Sequence, residues 1–182
     1  ESLKVTGFKG LRFNLIFWAT TDEETNQKDQ LTHMTKKLKM PKNTIVFDPR
    51  AEYQEYVSSR IRLKRPLKIV FDCGNGAMGF LPESVFKILG CEVITLYGEF
   101  DGAYPNHLPD PYIEDNLQAL KEKVLAERAD AGFAYDADGD RVAVIDNKGR
   151  VVPGDLCLLM LALQSIEKQK GPVVHDMRVS QA

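Results

Sequence analysis

The chain of 182 residues is 43% hydrophobic and 27% charged, with a formal net charge of −2. That balance is ordinary for a water-soluble globular fold and supplies no basic field that would draw a nucleic acid or an anionic membrane surface. The apolar run Leu15-Ile16-Phe17-Trp18-Ala19 falls far short of the roughly 20 apolar residues that cross a bilayer, and no signal-peptide pattern opens the chain.

Taken in chain order, residues 1–50 are irregular. A strand is expected over 11–19, followed by the polar run 20–30 and the basic stretch Lys36-Lys37-Leu38-Lys39 before Pro41. The apolar residues here are too few to close a core, so the segment reads as part of another domain. Residues 51–64 read as a helix, with Tyr53, Tyr56, Val57 and Ile61 at helical spacing as its apolar stripe, ended by Pro66.

From residue 67 the rhythm becomes regular. Residues 67–71 form a short apolar run expected as a buried strand, and Gly74-Asn75-Gly76 marks a turn. A helix is expected over 82–89, with Pro82 tolerated in its first turn and Gly90 just past its end. Strands follow over 91–97 and 131–135, separated by an amphipathic helix over 113–127 that repeats Ile113, Leu117, Leu120 and Val124. Val142 to Ile145 and Val151-Val152 flank Asp146-Asn147-Lys148-Gly149, a hairpin signal. A last helix over 156–166 precedes Gly171-Pro172 and a new strand opening at Val173. This alternation predicts an α/β fold: a mixed, mainly parallel sheet with helices on both faces, plus incomplete flanking domain segments. Cys73, Cys91 and Cys157 are odd in number and widely spaced, and they read as packed thiols of a reducing cytoplasm.

The densest chemistry lies in Asp136-Ala137-Asp138-Gly139-Asp140-Arg141. Asp136, Asp138 and Asp140 lie two residues apart, so their side chains point the same way if the backbone is extended, and Gly139 lets the chain bend. Three carboxylates that close repel one another, and a hard divalent cation such as Mg²⁺ relieves the repulsion. Arg141 adds a planar fork suited to phosphate, at the strand end where open α/β sheets place ligands. A calcium EF-hand loop is excluded, because Arg141 and Asn147 stand where Gly and an acid are required. The bland alternative is a solvated acidic turn.

Gly74-Asn75-Gly76-Ala77-Met78-Gly79 satisfies G-x-G-x-x-G between a strand and a helix, with Glu99 near the position of a ribose-binding acid. The alternative function is therefore an NAD(P)-binding oxidoreductase domain, although Phe80-Leu81-Pro82 delays the helix that such a site needs. The other reading of these glycines is a tight turn. The loop 101–111 is stiffened by Pro105, Pro109 and Pro111, and its His107 reads as a structural or solvent-facing histidine before a phosphate contact. His33 and His175 stand at no metal-ligand spacing, and Arg60-Ile61-Arg62-Leu63-Lys64-Arg65 reads as a solvated connector rather than an RNA patch. Neither G-x-S-x-G nor a Walker A motif is present.

With these residues in view, the chain resembles the α-D-phosphohexomutases, in the phosphomannomutase/phosphoglucomutase branch, over residues 47–182. Asp72-Cys73-Gly74-Asn75-Gly76-Ala77 resembles the turn opening that family's second domain. Pro105-Asn106-His107 through Pro109-Asp110-Pro111 resembles a further fingerprint, Asp136 to Arg141 resembles the metal loop (with Ala137 where glycine is usual), and Asp176-Met177-Arg178 resembles the first strand of the third domain. The resemblance implies residues 1–50 as a remnant of the phosphoserine-bearing first domain, 51–168 as the α/β second domain with the Mg²⁺ loop, and 169–182 as the start of the third. It implies Asp136, Asp138 and Asp140 as Mg²⁺ ligands and Arg141 as a catalytic, substrate-binding residue beside the transferring phosphate. Gly7-Phe8-Lys9 resembles the stretch that carries the family's acid/base lysine, so Lys9 is carried over, with threonine at position 6 in place of asparagine. The chain has no Ser-His-Asn type motif, so the phosphoserine is expected elsewhere and the chain alone is expected to be inactive. The expected partners are a hexose phosphate, a hexose bisphosphate and the remaining domains of the parent enzyme.

Overall fold

The structure, a computed structural model, describes residues 50–168 and 170–174. Lys9, His33, His175, Asp176-Met177-Arg178 and the strand expected over 11–19 lie outside the described residues. The elements run α1 (Arg50–Arg60), β1 (Lys68–Asp72), a 3₁₀ turn (Ala77–Gly79), α2 (Leu81–Ile88), β2 (Glu92–Leu96), a second 3₁₀ turn (Glu114–Leu117), α3 (Gln118–Glu127), β3 (Ala131–Tyr135), β4 (Val142–Asp146), β5 (Val151–Val152) and α4 (Gly154–Lys168). They form one five-stranded sheet in the order β2-β1-β3-β4-β5. The expected α/β class holds. The sheet is parallel at β2-β1-β3 and antiparallel at β3-β4-β5.

Period-two alternation sends the two faces of the sheet into two apolar layers. Val70, Ala134 and Ile145 face α3, whose Leu120 and Val124 are fully buried against them. Ile69 and Phe71 face the other way, toward Phe86 and Leu89 at α2. Gly132 lets α3 lie close, because a Cβ there would come within 2.7 Å of Val124 Cγ2. Phe71 centres the second layer, its ring 5.2 Å from that of Phe86 and 5.6 Å from that of Phe133.

Several expected boundaries moved, each for a local reason. Helix α1 stops at Arg60 rather than 64, where Ser58, Ser59 and Arg60 turn their side chains back onto helix carbonyls. Its expected apolar stripe is not buried among the described residues: Tyr53 and Tyr56 are more than half exposed, Arg60 lies over the Tyr56 ring, and Ser58 is the buried residue. The helix expected over 113–127 opens as a 3₁₀ turn, held by the Asn116 amide donating to the Asp110 carbonyl. Gly90 takes the left-handed conformation that closes α2, as expected, while α3 closes with Arg128 at φ 51°. Helix α4 begins earlier than 156, carries no buried residue, and exposes Leu159, Met160, Leu161 and Leu163. Arg65 of the basic run forks onto Asp130, whose carboxylate also accepts the Lys68 backbone N–H.

Removing the Phe71 ring leaves a void that neighbouring elements fill only in part. We expect Phe71→Ala to lower the unfolding free energy by about 3–5 kcal/mol, measured by urea titration; a loss below about 1 kcal/mol would remove Phe71 from the centre of the layer.

Candidate metal and phosphate site

Because β1, β2 and β3 run parallel, their C-terminal ends share one sheet edge. The loops that leave that edge (73–79, 97–113 and 136–141) are thereby brought together, at the position where open α/β sheets bind ligands.

The acidic loop 136–141 joins two antiparallel strands whose last pair is Tyr135 with Val142. The Asp136 backbone N–H donates to the Arg141 carbonyl at 3.2 Å, and the Gly139 N–H donates to the Asp136 carbonyl at 3.2 Å. The three carboxylates converge as expected, each with an oxygen within 4.8 Å of the others. The cause differs from the expected extended alternation: the loop is a series of bends, and Gly139 at φ 79° turns it. A Cβ at Gly139 would also stand 2.4 Å from Met78 Cγ.

Asp136 is buried, whereas Asp138 and Asp140 are exposed. Arg141 donates twice to Asp136: its backbone N–H to Oδ1 at 3.0 Å and its Nε to Oδ2 at 2.7 Å. Burial pushes the Asp136 carboxyl up, but these hydrogen bonds outweigh it and hold it below its usual range. Asp140 is pushed the other way, by sharing a hydrogen bond with Asp136 and by the charge of Asp138. All three donors are hard oxygens, two face solvent, and their mutual repulsion is what a divalent cation relieves, so the residues fit Mg²⁺. The oxygens of Asp136 keep lone pairs beyond those used by Arg141. Arg141 itself is 44% exposed, with Nη1 3.6 Å from Asp110 Oδ1, beyond hydrogen-bond range, so an edge of its fork faces solvent beside the carboxylates.

The glycine turn seats this loop. Gly74 and Asn75 both adopt positive φ, and the Ala77 backbone N–H donates to the Ala137 carbonyl at 2.8 Å. A Cβ at Gly76 would lie 2.7 Å from that same carbonyl oxygen, and one at Gly79 would lie 1.8 Å from the Gly98 oxygen. The spaces that a dinucleotide fingerprint keeps open for pyrophosphate are thus occupied by the protein's own backbone. Glu99 offers its carbonyl to the Asn75 amide at 2.7 Å.

The stiff loop 101–111 closes over the turn. Both ring nitrogens of His107 face oxygens: Nε2 lies 3.2 Å from each oxygen of the fully buried Asp72, and Nδ1 lies 2.9 Å from the Leu108 carbonyl. Two acceptors need two N–H groups, so the imidazolium form satisfies the site. The Asp72 hydrogen bond raises the His107 pKa above 6.5, against the opposing effect of burial.

A model of the family described as phosphoglucomutase/phosphomannomutase, alpha/beta/alpha domain II, matches residues 51–149. The chain belongs to this family. A phosphomannomutase/phosphoglucomutase of Pseudomonas syringae pv. tomato is 44% identical over 127 residues, covering 69% of this chain and 27% of that protein. A phosphoglucomutase of Neisseria meningitidis is 36% identical over 132 residues, covering 72% and 29%. A crystal structure of a phosphoglucomutase/phosphomannomutase family protein from Burkholderia thailandensis superimposes with a TM-score of 0.65 at 41% identity, covering 67% of this chain and 27% of that one. The chain therefore spans little more than a quarter of the length of these relatives. These family matches, together with the filled glycine turn, leave the oxidoreductase reading without support.

Sequence reasoning brought Asp136, Asp138, Asp140 and Arg141 to one place, and the structure does the same. It missed the Asp72–His107 pair, which is separated by 35 positions, and the approach of Asp110 to Arg141. The stiffness of the proline loop was legible, but its docking surface was not.

Two outcomes follow from this geometry. Gly76→Ala pushes the Ala137 backbone away, and any Mg²⁺ affinity of the acidic loop should fall by about tenfold or more, read by calorimetry; unchanged affinity would mean that the turn does not support the acidic loop. By NMR titration His107 should titrate above 6.5, and Asp72→Asn should remove most of the rise. Since the folded pKa is the higher one, the stability contributed by this pair is full below pH 6.5 and fades as pH climbs through the raised value.

Proposed function

We propose that this chain is the metal-holding portion of a sugar-phosphate mutase, whose intact form interconverts hexose 1-phosphate and hexose 6-phosphate, of mannose, glucose or both. The observation that carries this reading is the convergence of three aspartate oxygens beside an exposed arginine fork at the C-terminal edge of the parallel strands. The domain assignment is 1–50 as a remnant of the first domain, 51–168 as the second domain and 169–182 as the opening of the third. The serine that carries the phosphoryl group belongs to another part of the parent enzyme, and Lys9 is its proposed acid/base residue. The cytoplasm is the proposed compartment, in keeping with three unpaired cysteines; no helix among the described residues is long and apolar enough to cross a membrane.

Mg²⁺ held by Asp136, Asp138 and Asp140 would supply positive charge against the charge of the phosphoryl group in transfer. Arg141, a fixed cation with a planar fork, binds the phosphoryl oxygens and stabilises the group between donor and acceptor. Asp136 keeps Arg141 in place through two hydrogen bonds while contributing to the cation site. The reaction moves the phosphoryl group from phosphoserine to one sugar hydroxyl, passes through a bisphosphorylated sugar, and returns the other phosphate to serine.

A coupled assay on the intact enzyme tests this, with glucose 1-phosphate or mannose 1-phosphate, Mg²⁺ and a trace of hexose bisphosphate, detecting the 6-phosphate. Turnover abolished by EDTA is expected, and Asp138→Asn should lose at least about 100-fold in kcat; near-parental turnover in that variant would overturn the metal assignment. Residues 1–182 alone should give no turnover, and measurable activity would show that no serine from elsewhere is needed.

A further inference from the structure

The loop that resembles a family fingerprint makes contacts that the metal site does not explain. It is anchored at one end and touches Arg141 at the other. At the anchor, His107 bridges Asp72 and the Leu108 carbonyl, the Asn106 amide donates to Asn75 Oδ1 at 2.8 Å, and the Asp101 backbone N–H donates to the Asn75 carbonyl at 3.0 Å. The buried Pro109 packs where a side chain on Gly74 would stand, 2.7 Å from Pro109 Cβ. At the far end Asp110 is itself fixed. Its backbone N–H donates to the Leu108 carbonyl at 2.8 Å, its carbonyl accepts the Asn116 amide at 3.0 Å, and its Oδ1 accepts the Tyr112 N–H at 3.0 Å. That same Oδ1 stands 3.6 Å from Arg141 Nη1, and the Tyr112 ring centroid is 5.6 Å from Arg141 Cζ.

Arg141 is thus held between two carboxylates on different loops. Asp136 binds Nε at 2.7 Å, and Asp110 attracts the opposite end of the guanidinium from outside hydrogen-bond range. Without the second carboxylate, the exposed Asp140, 3.8 Å from Nε, and Asp136 would be the carboxylates left beside the fork and would draw it onto the metal loop. We propose that Asp110 is a positioning residue for Arg141, and that the loop 105–111, clasped by Asp72 and Asn75, is the strut that fixes where Asp110 stands. A phosphate is more strongly charged than a carboxylate at 3.6 Å, so it can take over Nη1 without having to break a hydrogen bond. The inference rests on the role proposed for Arg141, and one of its tests does not depend on catalysis.

The first measurement is phenylglyoxal modification of Arg141 in the full chain, followed by peptide mass spectrometry. Asp110→Asn should raise the modification rate at Arg141 at least about threefold, because the neighbouring charge that holds and shields the guanidinium is gone; an unchanged rate overturns the proposal even if no hexose phosphate is ever turned over. The second is kinetic, in the intact mutase. Asp110→Asn should lower kcat by about ten- to a hundredfold, with the melting temperature unchanged and the half-saturating Mg²⁺ concentration within about twofold of the parent, and Asp110→Glu should recover part of the loss. In an Arg141→Lys background the same substitution should cost little more, since both act through one group. Full additivity, or a kcat loss that tracks a fall in melting temperature, would show a structural role only. Absence of turnover in the parent would count against the function reading, leaving the modification rate to decide this one.

Discussion

The Gly76 Cα lies so close to the acidic loop that an added methyl group would come within 2.7 Å of the Ala137 carbonyl oxygen, and the next residue's N–H donates to that oxygen at 2.8 Å. This backbone-to-backbone seat ties the first parallel strand to the acidic loop. A loop bearing three carboxylates has every electrostatic reason to open, because each charge repels the other two. A seat built from main chain resists this more rigidly than one built from mobile side chains, and it needs a residue without a Cβ. The glycine spacing that mimics a dinucleotide fingerprint is thus explained by close packing within the protein.

The same edge of the sheet is organised in layers of decreasing burial. Asp72 is fully buried and ties down His107; Asn75, also buried, donates to the Glu99 carbonyl and accepts from Asn106. Above them Asp136 is buried against Arg141, and outermost stand Asp138 and Asp140, open to solvent. Buried polar groups are costly unless partnered, and among the described residues no buried side-chain polar atom lacks a partner. The exposed members are those left able to exchange water for a ligand. The division leaves the inner residues fixed by protein partners and the outer ones open to water.

Charge at the site is arranged by competition. Asp136 is kept ionised by Arg141 despite its burial, while Asp140 is pushed toward protonation by its two neighbours. A cation would reverse the second effect and keep the first, so binding releases repulsion that the folded chain already holds. Arg141 is the hinge of this balance, because it touches Asp136 of the acidic loop through Nε and faces the proline loop through Nη1.

Much was legible in the residues alone. Short apolar runs located β1 to β3, helical periodicity located α3, and the density of Asp136, Asp138, Asp140 and Arg141 marked the site, since each of these signals is local in sequence. Gly90 at the end of α2 and Pro82 at its start were also readable, because capping depends on one residue's own backbone freedom. Other features were decided by tertiary structure. The antiparallel pairing of β3 with β4, which makes 136–141 a hairpin loop, depends on which edge of the sheet is free. The Asp72–His107 pair, the seat of Gly76 on Ala137 and the approach of Asp110 to Arg141 join residues far apart in the chain, and no pattern in either partner names the other. The exposure of Tyr53 and Tyr56 likewise ran against their helical spacing, because periodicity states which residues share a face and not whether a second surface covers it.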